Sequence, residues 1–403
     1  MNRRDLGRAA IAGSVLAASA RGQDFGGLVE KLAKDTIRKG LEPKAIERSF
    51  AASRAGEPHP FRTADGWTLV AHRYKPAGAP RGKPIILCHG LTYNALFWDL
   101  DPACSPAQYF AEAGYDVWSV SLRGNGLSQK WVWKLDNAPM QLMGGAMRRL
   151  SQGKVAPTGY ATIDPKYANW TMDDHIEHDV PAVVQFVRKM TGAPDVTWMG
   201  HSMGGIVAIA RMAKYRTPGI GRLIAVGSQV TMPNGQIVTQ YLDSLLSGRQ
   251  LELTGQIDAA RAVEMGQEGL QDMFFNIRNV DRKVYEALTT WATDVPSIGL
   301  MKQYMLLSRR GELLDAAGSY SYARNLANVT VPCLFACGAA DRFAPPAVQQ
   351  QMHAGVGSAD KSLAYFGRAA GFQVDAGHDD ALVGLNSRAQ VYPTIARWLA
   401  QRA

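Results

Sequence analysis

The sequence predicts an α/β fold: a mostly parallel central sheet flanked by helices, with a helical cap insertion. Three observations carry this. Short apolar, β-prone runs alternate with helical patterns over most of the 403 residues, the rhythm of strand–helix–strand units. The run Lys83-Pro84-Ile85-Ile86-Leu87-Cys88 is almost wholly apolar, as expected of a strand covered on both faces. Finally, Gly200-His201-Ser202-Met203-Gly204 stands between a β-prone stretch, Asp195 to Met199, and a small, apolar, helix-like run, Gly205 to Ala213.

Taken in order, the chain opens on Arg3-Arg4, an alanine-rich apolar run from Ala9 to Ala18, and Ala18-Ser19-Ala20. Positive charge, apolar stretch and small-residue cleavage site predict a signal peptide over 1–20. The paired arginines point to the twin-arginine type, with cleavage after Ala20 and a periplasmic or secreted location. Leu28, Val29, Leu32, Ile37 and Leu41 recur at helical spacing, predicting an N-terminal helical arm over 21–58. From 59 the core begins. Thr68 to Tyr74 alternates as a strand after the Ala64-Asp65-Gly66 turn, and 83–88 is a buried strand. A helix from Pro106 ends at Gly114, and Asp116 to Val120 is a strand. A helix over 173–191 leads into the strand before Ser202, and Leu223–Gly227, Pro332–Ala336 and Ser362–Phe366 supply further strands. Two stretches interrupt this core, whose parts are 59–232 and 321–403. Residues 128–170 are rich in Trp, Met, Gly and Pro without a long period, and 233–320 read as a helical cap.

Composition narrows the class. At 46% hydrophobic the chain can bury a large core. The net charge is +9, or +7 once the leader's Arg3, Arg4, Arg8 and Asp5 are removed. The surplus is spread along the chain without a basic block or a nucleic-acid-binding module, so no nucleic-acid partner is expected. After residue 20 no apolar run is long enough to span a bilayer, and oligomeric state leaves no mark on the sequence. Of the four cysteines, Cys88 and Cys333 lie in apolar strands and Cys337 closes one. Along an extended strand Cys333 and Cys337 would stand roughly 13 Å apart, too far to bridge, so buried free thiols are expected.

The chemistry follows from the G-x-S-x-G turn. Gly200 and Gly204 fit a turn so sharp that side chains two before and two after the serine would collide. A serine hydroxyl needs a base, and the base needs orienting. For a serine at such a turn the acid and the histidine follow in that order. Asp341, after the strand ending at Cys337, and His378, in Ala376-Gly377-His378-Asp379-Asp380, fit that order 37 residues apart. Asp375, Asp379 and Asp380 compete for the acid's role, but none follows a buried strand. His201 is a rival imidazole, although its place within the turn hinders it from folding back on Ser202. His72, His175, His178 and His353 are assigned surface or packing roles, and His175-Ile176-Glu177-His178-Asp179 reads as a helix-surface cluster. Oxyanion donors are expected in the backbone N–H groups of Met203 and Leu91. His89-Gly90 allows close approach in that loop, and His89 shapes it by a structural hydrogen bond.

Arranged this way, the chain resembles the α/β-hydrolase superfamily, and within it the acid-lipase-type branch. The motifs are Leu87-Cys88-His89-Gly90-Leu91, Ala113 to Trp118 followed by Arg123-Gly124-Asn125-Gly126-Leu127-Ser128, Trp170 to Ala182, and Gly377-His378-Asp379-Asp380 with Gly384. His178 stands where that branch usually has tyrosine. The resemblance spans roughly 60–232 and 320–400 and covers the cap weakly. It implies a serine hydrolase that cleaves small-molecule or lipid esters through Ser202, His378 and Asp341, with no metal or organic cofactor, and the leader makes it an exported one. Acyltransferase, amidase or peptidase chemistry with the same three residues is the alternative, and a non-catalytic binding protein on this scaffold is a more distant one. Trp131, Trp133, Met140, Met143, Met273, Phe274, Phe275 and Trp291 are candidates to line an acyl pocket.

Overall fold

The computed structural model describes residues 58–129, 133–135, 161–163, 169–216, 219–233, 235, 271–294 and 296–402. The expected leader and arm at 1–57 lie outside the described residues, as do most of 128–170 and 236–270 of the expected cap. The chain divides into two units. In the first, of which little is described, β5 (Trp133–Leu135) and β6 (Ala161–Ile163) pair antiparallel. All the other elements belong to the second.

Eight strands of the second unit form one sheet in the order β1-β2-β4-β3-β7-β8-β9-β10. They are β1 (Pro58–Arg62), β2 (Thr68–Tyr74), β3 (Ile85–Cys88), β4 (Val117–Ser121), β7 (Val196–His201), β8 (Ile220–Val226), β9 (Cys333–Gly338) and β10 (Lys361–Phe366). β1 and β2 run antiparallel to their neighbours, and the remaining pairings are parallel. The apolar runs behave as their composition requires: β3, β4, β7 and β9 are buried along their whole length. β1 is an element the sequence analysis did not identify. Its burial alternates between exposed and intermediate, a weak signal on an edge strand.

Helix α1 (Pro106–Glu112) is capped by Ser105, whose side chain accepts the Gln108 N–H. The helix expected over 173–191 is broken into parts. A turn at Met172–Asp174 passes into a π-helical turn, His175–Asp179, and then into α2 (Val180–Thr191). Pro181 explains the break: it has no N–H to give the fourth residue back. The ladder is carried across by the Val180 N–H reaching the His175 carbonyl instead. Helix α3 (Met203–Tyr215) follows β7 directly and is buried over nearly its whole length. Between 233 and 320 the described residues are largely helical, with α4 (Arg282–Trp291) and α5 (Ile298–Arg310). Helices α6 (Pro346–Gly355) and α7 (Tyr392–Ala400) complete the second half.

The topology itself points to a site. From β3 the chain moves to β4 on one side, while β7 returns on the other. The crevice outside the carboxyl ends of β3 and β7 is therefore a switch point, where open α/β sheets bind ligands. All four cysteines are free and buried, as expected. Among the described residues no helix is long and apolar enough to cross a membrane.

Candidate active site

Ser202 sits at the turn between β7 and α3 with φ 51° and ψ −120°. Such a backbone costs a non-glycine residue of order 1–3 kcal/mol, so the surroundings must hold it. They do: the Ser202 N–H donates to the Val226 carbonyl at 2.8 Å, and its own carbonyl accepts from Gly205 and Ile206. The flanking glycines are obligatory. A Cβ on Gly200 would land on the backbone of Gly204 and Gly205, and one on Gly204 would land on the Cys88 carbonyl. The buried Trp198 ties strand to helix by donating its indole N–H to the Gly204 carbonyl at 2.8 Å.

The loop after β3 reaches the same point. A Cβ on Gly90 would come within 3.4 Å of the Ser202 Cβ. His89 Nδ1 lies 2.8 Å from the Gly90 carbonyl, and the Leu122 N–H lies 3.1 Å from His89 Nε2. One partner only accepts and the other only donates, so the ring is neutral with its proton on Nδ1. Burial pulls its pKa down to about 4. Among the described residues the N–H groups of Leu91 and Met203 donate to no backbone or side-chain acceptor, so both are available to an oxyanion.

Asp341 and His378 are brought together. His378 Nδ1 stands 2.9 Å from Asp341 Oδ2, with both side chains buried. The other oxygen, Asp341 Oδ1, accepts the backbone N–H groups of Phe343 (2.9 Å) and Ala344 (2.7 Å). This loop fixes the carboxylate through backbone donors, with no Lys or Arg among the described residues paired to it. Burial disfavours a charged imidazole at His378, but the Asp341 carboxylate outweighs it, and Asp379 and Asp380 add to it, so the pKa is raised above the ordinary histidine value. Such a ring has Nε2 left to take and return a proton.

None of the competing acids binds the imidazole. Asp375 accepts the Arg368 N–H, and Asp379 accepts the Tyr93 hydroxyl. Asp380 accepts the N–H groups of Gly377 and Asn276 and the Asn279 amide. Through Asp380, and through the Asp379 N–H donating to the Phe274 carbonyl at 2.9 Å, residues 274–279 are fastened to the histidine loop. The Phe274 ring lies 5.8 Å from that of His378, and Phe343 lies 5.0 Å away on a separate loop. Of the pocket candidates, Phe274 thus faces the imidazole, Phe275 packs on Tyr285, and Trp291 is 39% exposed. Trp131, Met140 and Met143, with the side chain of Trp133, lie outside the described residues. Tyr93 and Phe343 were missed because nothing in their own neighbourhood marks them.

One expectation is overturned. His175 and Asp179 are fully buried rather than on a helix surface. Asp179 is held by Arg123, whose backbone N–H, Nε and Nη2 all reach its carboxylate within 3.1 Å. His72 is likewise buried in β2, where burial pulls its pKa down to about 4. Among the described residues two groups have the density of ligating atoms a metal needs: His201, His378 and Asp379, and Asp65, Asp174 and His178. The second already surrounds the Arg123 guanidinium, 2.8 Å from Asp65 and 3.7 Å from Asp174, so its negative charge is matched without a metal.

A model of the alpha/beta hydrolase family matches residues 85–391. Lipase 1 of Drosophila melanogaster is 30% identical over 152 residues, 37% of this chain and 27% of that protein. Gastric triacylglycerol lipase of Bos taurus is 28% identical over 159 residues, 37% of this chain and 32% of that protein. The chain thus covers about a third or less of the length of these curated relatives. Among solved structures, a thermophilic esterase from Thermogutta terrifontis superposes with a TM-score of 0.55 at 18% identity, covering 86% of this chain and 99% of that one, which speaks for the fold alone.

Proposed function

This chain belongs to the alpha/beta hydrolase family, and from that premise we propose that it is a serine hydrolase of carboxylic esters. The observation that carries the proposal is the 2.9 Å bond from His378 Nδ1 to Asp341 Oδ2, on loops beside the strained Ser202 turn. Ser202 Oγ attacks the ester carbonyl while His378 Nε2 takes its proton. Asp341 orients the ring and stabilises the imidazolium. The Leu91 and Met203 N–H groups hold the oxyanion, each worth ~2.7–4 kcal/mol in the transition state. The C–O bond of the tetrahedral intermediate then breaks, His378 protonates the departing alcohol, and water repeats the sequence on the acyl-enzyme.

The similarity to lipases supports an ester as substrate, small-molecule or lipid, and the Phe274 and Phe343 rings beside His378 support an apolar acyl group. We assign 233–320 as the cap. We also assign 1–20 as a twin-arginine-type leader, with export to the periplasm or beyond. Four buried free thiols suit a chain that folds in a reducing compartment first. An ester panel graded by acyl length and alcohol bulk, run with water or an added alcohol as acceptor and with matched amides, tests the reaction class. Free acid released from esters in a Ser202-dependent way is expected. Transfer to the alcohol, or preference for amides, would replace the hydrolase reading with an acyltransferase or amidase.

A further inference from the structure

Behind His378 lies a second chain of buried polar groups that the steps above do not use. The Tyr93 hydroxyl donates to Asp379 Oδ2 at 2.7 Å. Asp379 Oδ1 lies 3.5 Å from His201 Nε2. The same Nε2 is 3.2 Å from the His378 carbonyl oxygen, which only accepts, so Nε2 carries the proton. The His201 ring stacks on Phe97 at 4.7 Å and 12° and leans on the His378 ring at 4.8 Å. Each member belongs to a different part of the site. Tyr93 closes the oxyanion loop, its N–H on the Gly90 carbonyl. His201 immediately precedes Ser202, and Asp379 immediately follows His378.

Packing alone does not account for this. Tyr93 is half-buried, His201 and Asp379 are entirely buried, and Asp379 Oδ1 and His201 Nδ1 have no hydrogen-bond partner among the described residues. Apolar side chains of similar volume would fill the space without burying an incompletely paired carboxyl.

Resting on the Ser202–His378–Asp341 reading, we propose that Tyr93, Asp379 and His201 form one positioning unit: it locks the oxyanion loop, the serine turn and the histidine loop in register and sets a second carboxylate near the imidazole besides Asp341. The groups facing Asp379 are Tyr93 from the oxyanion loop, His201 from the end of β7, His378 and Asp380 from its own loop, and Asp341 from the loop after β9. The Phe274 carbonyl takes its N–H. Burial brings the Asp379 carboxyl up to about 7, so it is charged over the upper part of the neutral range and favours the imidazolium there.

The test is steady-state kinetics with Tyr93→Phe, Asp379→Asn and the double variant, each with a melting temperature and a pH profile of kcat/KM. Each single variant should lower kcat by about ten- to a hundredfold with KM little changed. The double variant should lose no more than the worse single one. The acid limb should move to lower pH in each: Asp379→Asn removes the negative charge beside His378, and Tyr93→Phe removes the hydroxyl that favours that charge, so either lowers the His378 pKa. Wild-type kcat in Tyr93→Phe, which removes one hydroxyl only, would overturn the proposal. So would a loss that tracks the melting temperature while the acid limb stays put. A fluorophosphonate on the wild-type protein separates the two readings: if Ser202 fails to label, the nucleophile assignment falls, whereas labelling with unchanged variants sinks only the positioning unit.

Discussion

Among the described residues two buried histidine–aspartate pairs are hydrogen-bonded, and they do different things. In one, His378 Nδ1 is 2.9 Å from Asp341; in the other, His175 Nδ1 is 2.7 Å from Asp179. The difference is what else the carboxylate meets. Asp179 is gripped by Arg123, which also reaches Asp65 and lies 4.9 Å over the Trp67 ring. Burial pushes the Asp179 carboxyl up, but Arg123 and His175 outweigh it and hold its pKa below the usual value. Its charge is spent on the guanidinium, and the pair pins the turn before α2 to the loop after β4. Asp341 meets two backbone N–H groups and, among the described residues, no Lys or Arg, so its charge remains for the imidazole, whose pKa rises accordingly. A histidine–aspartate pair becomes a candidate catalyst through a carboxylate that no Lys or Arg among the described residues has claimed.

Breaking each pair should show this, starting with the largest effect. His378→Ala should lower kcat on the order of a million-fold with the fold intact, measured by ester turnover and circular dichroism. Asp341→Asn should lose about ten-thousand-fold. Its residual activity should also shift: with the carboxylate gone the His378 pKa falls, so the neutral base persists to lower pH and the acid limb of the rate profile moves down. Arg123→Met acts on the other pair. It leaves Asp179 buried without its cation, a change expected to cost about 3–5 kcal/mol of stability. The acid limb of the folded enzyme should not move. A shifted limb in Arg123→Met, or none in Asp341→Asn, would erase the distinction between the pairs.

The same contrast marks what was legible in the sequence. The serine turn could be read because its constraints are local: two small residues, a β-prone run before and an apolar run after. Asp341 stood out because an all-apolar strand leads into it, although only the 2.9 Å contact separates it from Asp375, Asp379 and Asp380. The Asp179 pair was misread because its partner lies 56 residues away and nothing around His175 announces a buried arginine. The π turn was hidden similarly. Pro181 warned of a helix start but not of the way the chain would bridge it. Phe274 meets His378 across more than a hundred residues, a contact that helix periodicity cannot foresee.

The central claim is that Ser202 is a nucleophile activated by the unspent pair. Intact-protein and peptide mass spectrometry after brief exposure to a fluorophosphonate tests it most directly. One adduct on Ser202 is expected, absent in Ser202→Ala and slowed by several orders of magnitude in His378→Ala. Folded wild-type protein that stays unlabelled, or an adduct at another residue, would contradict it.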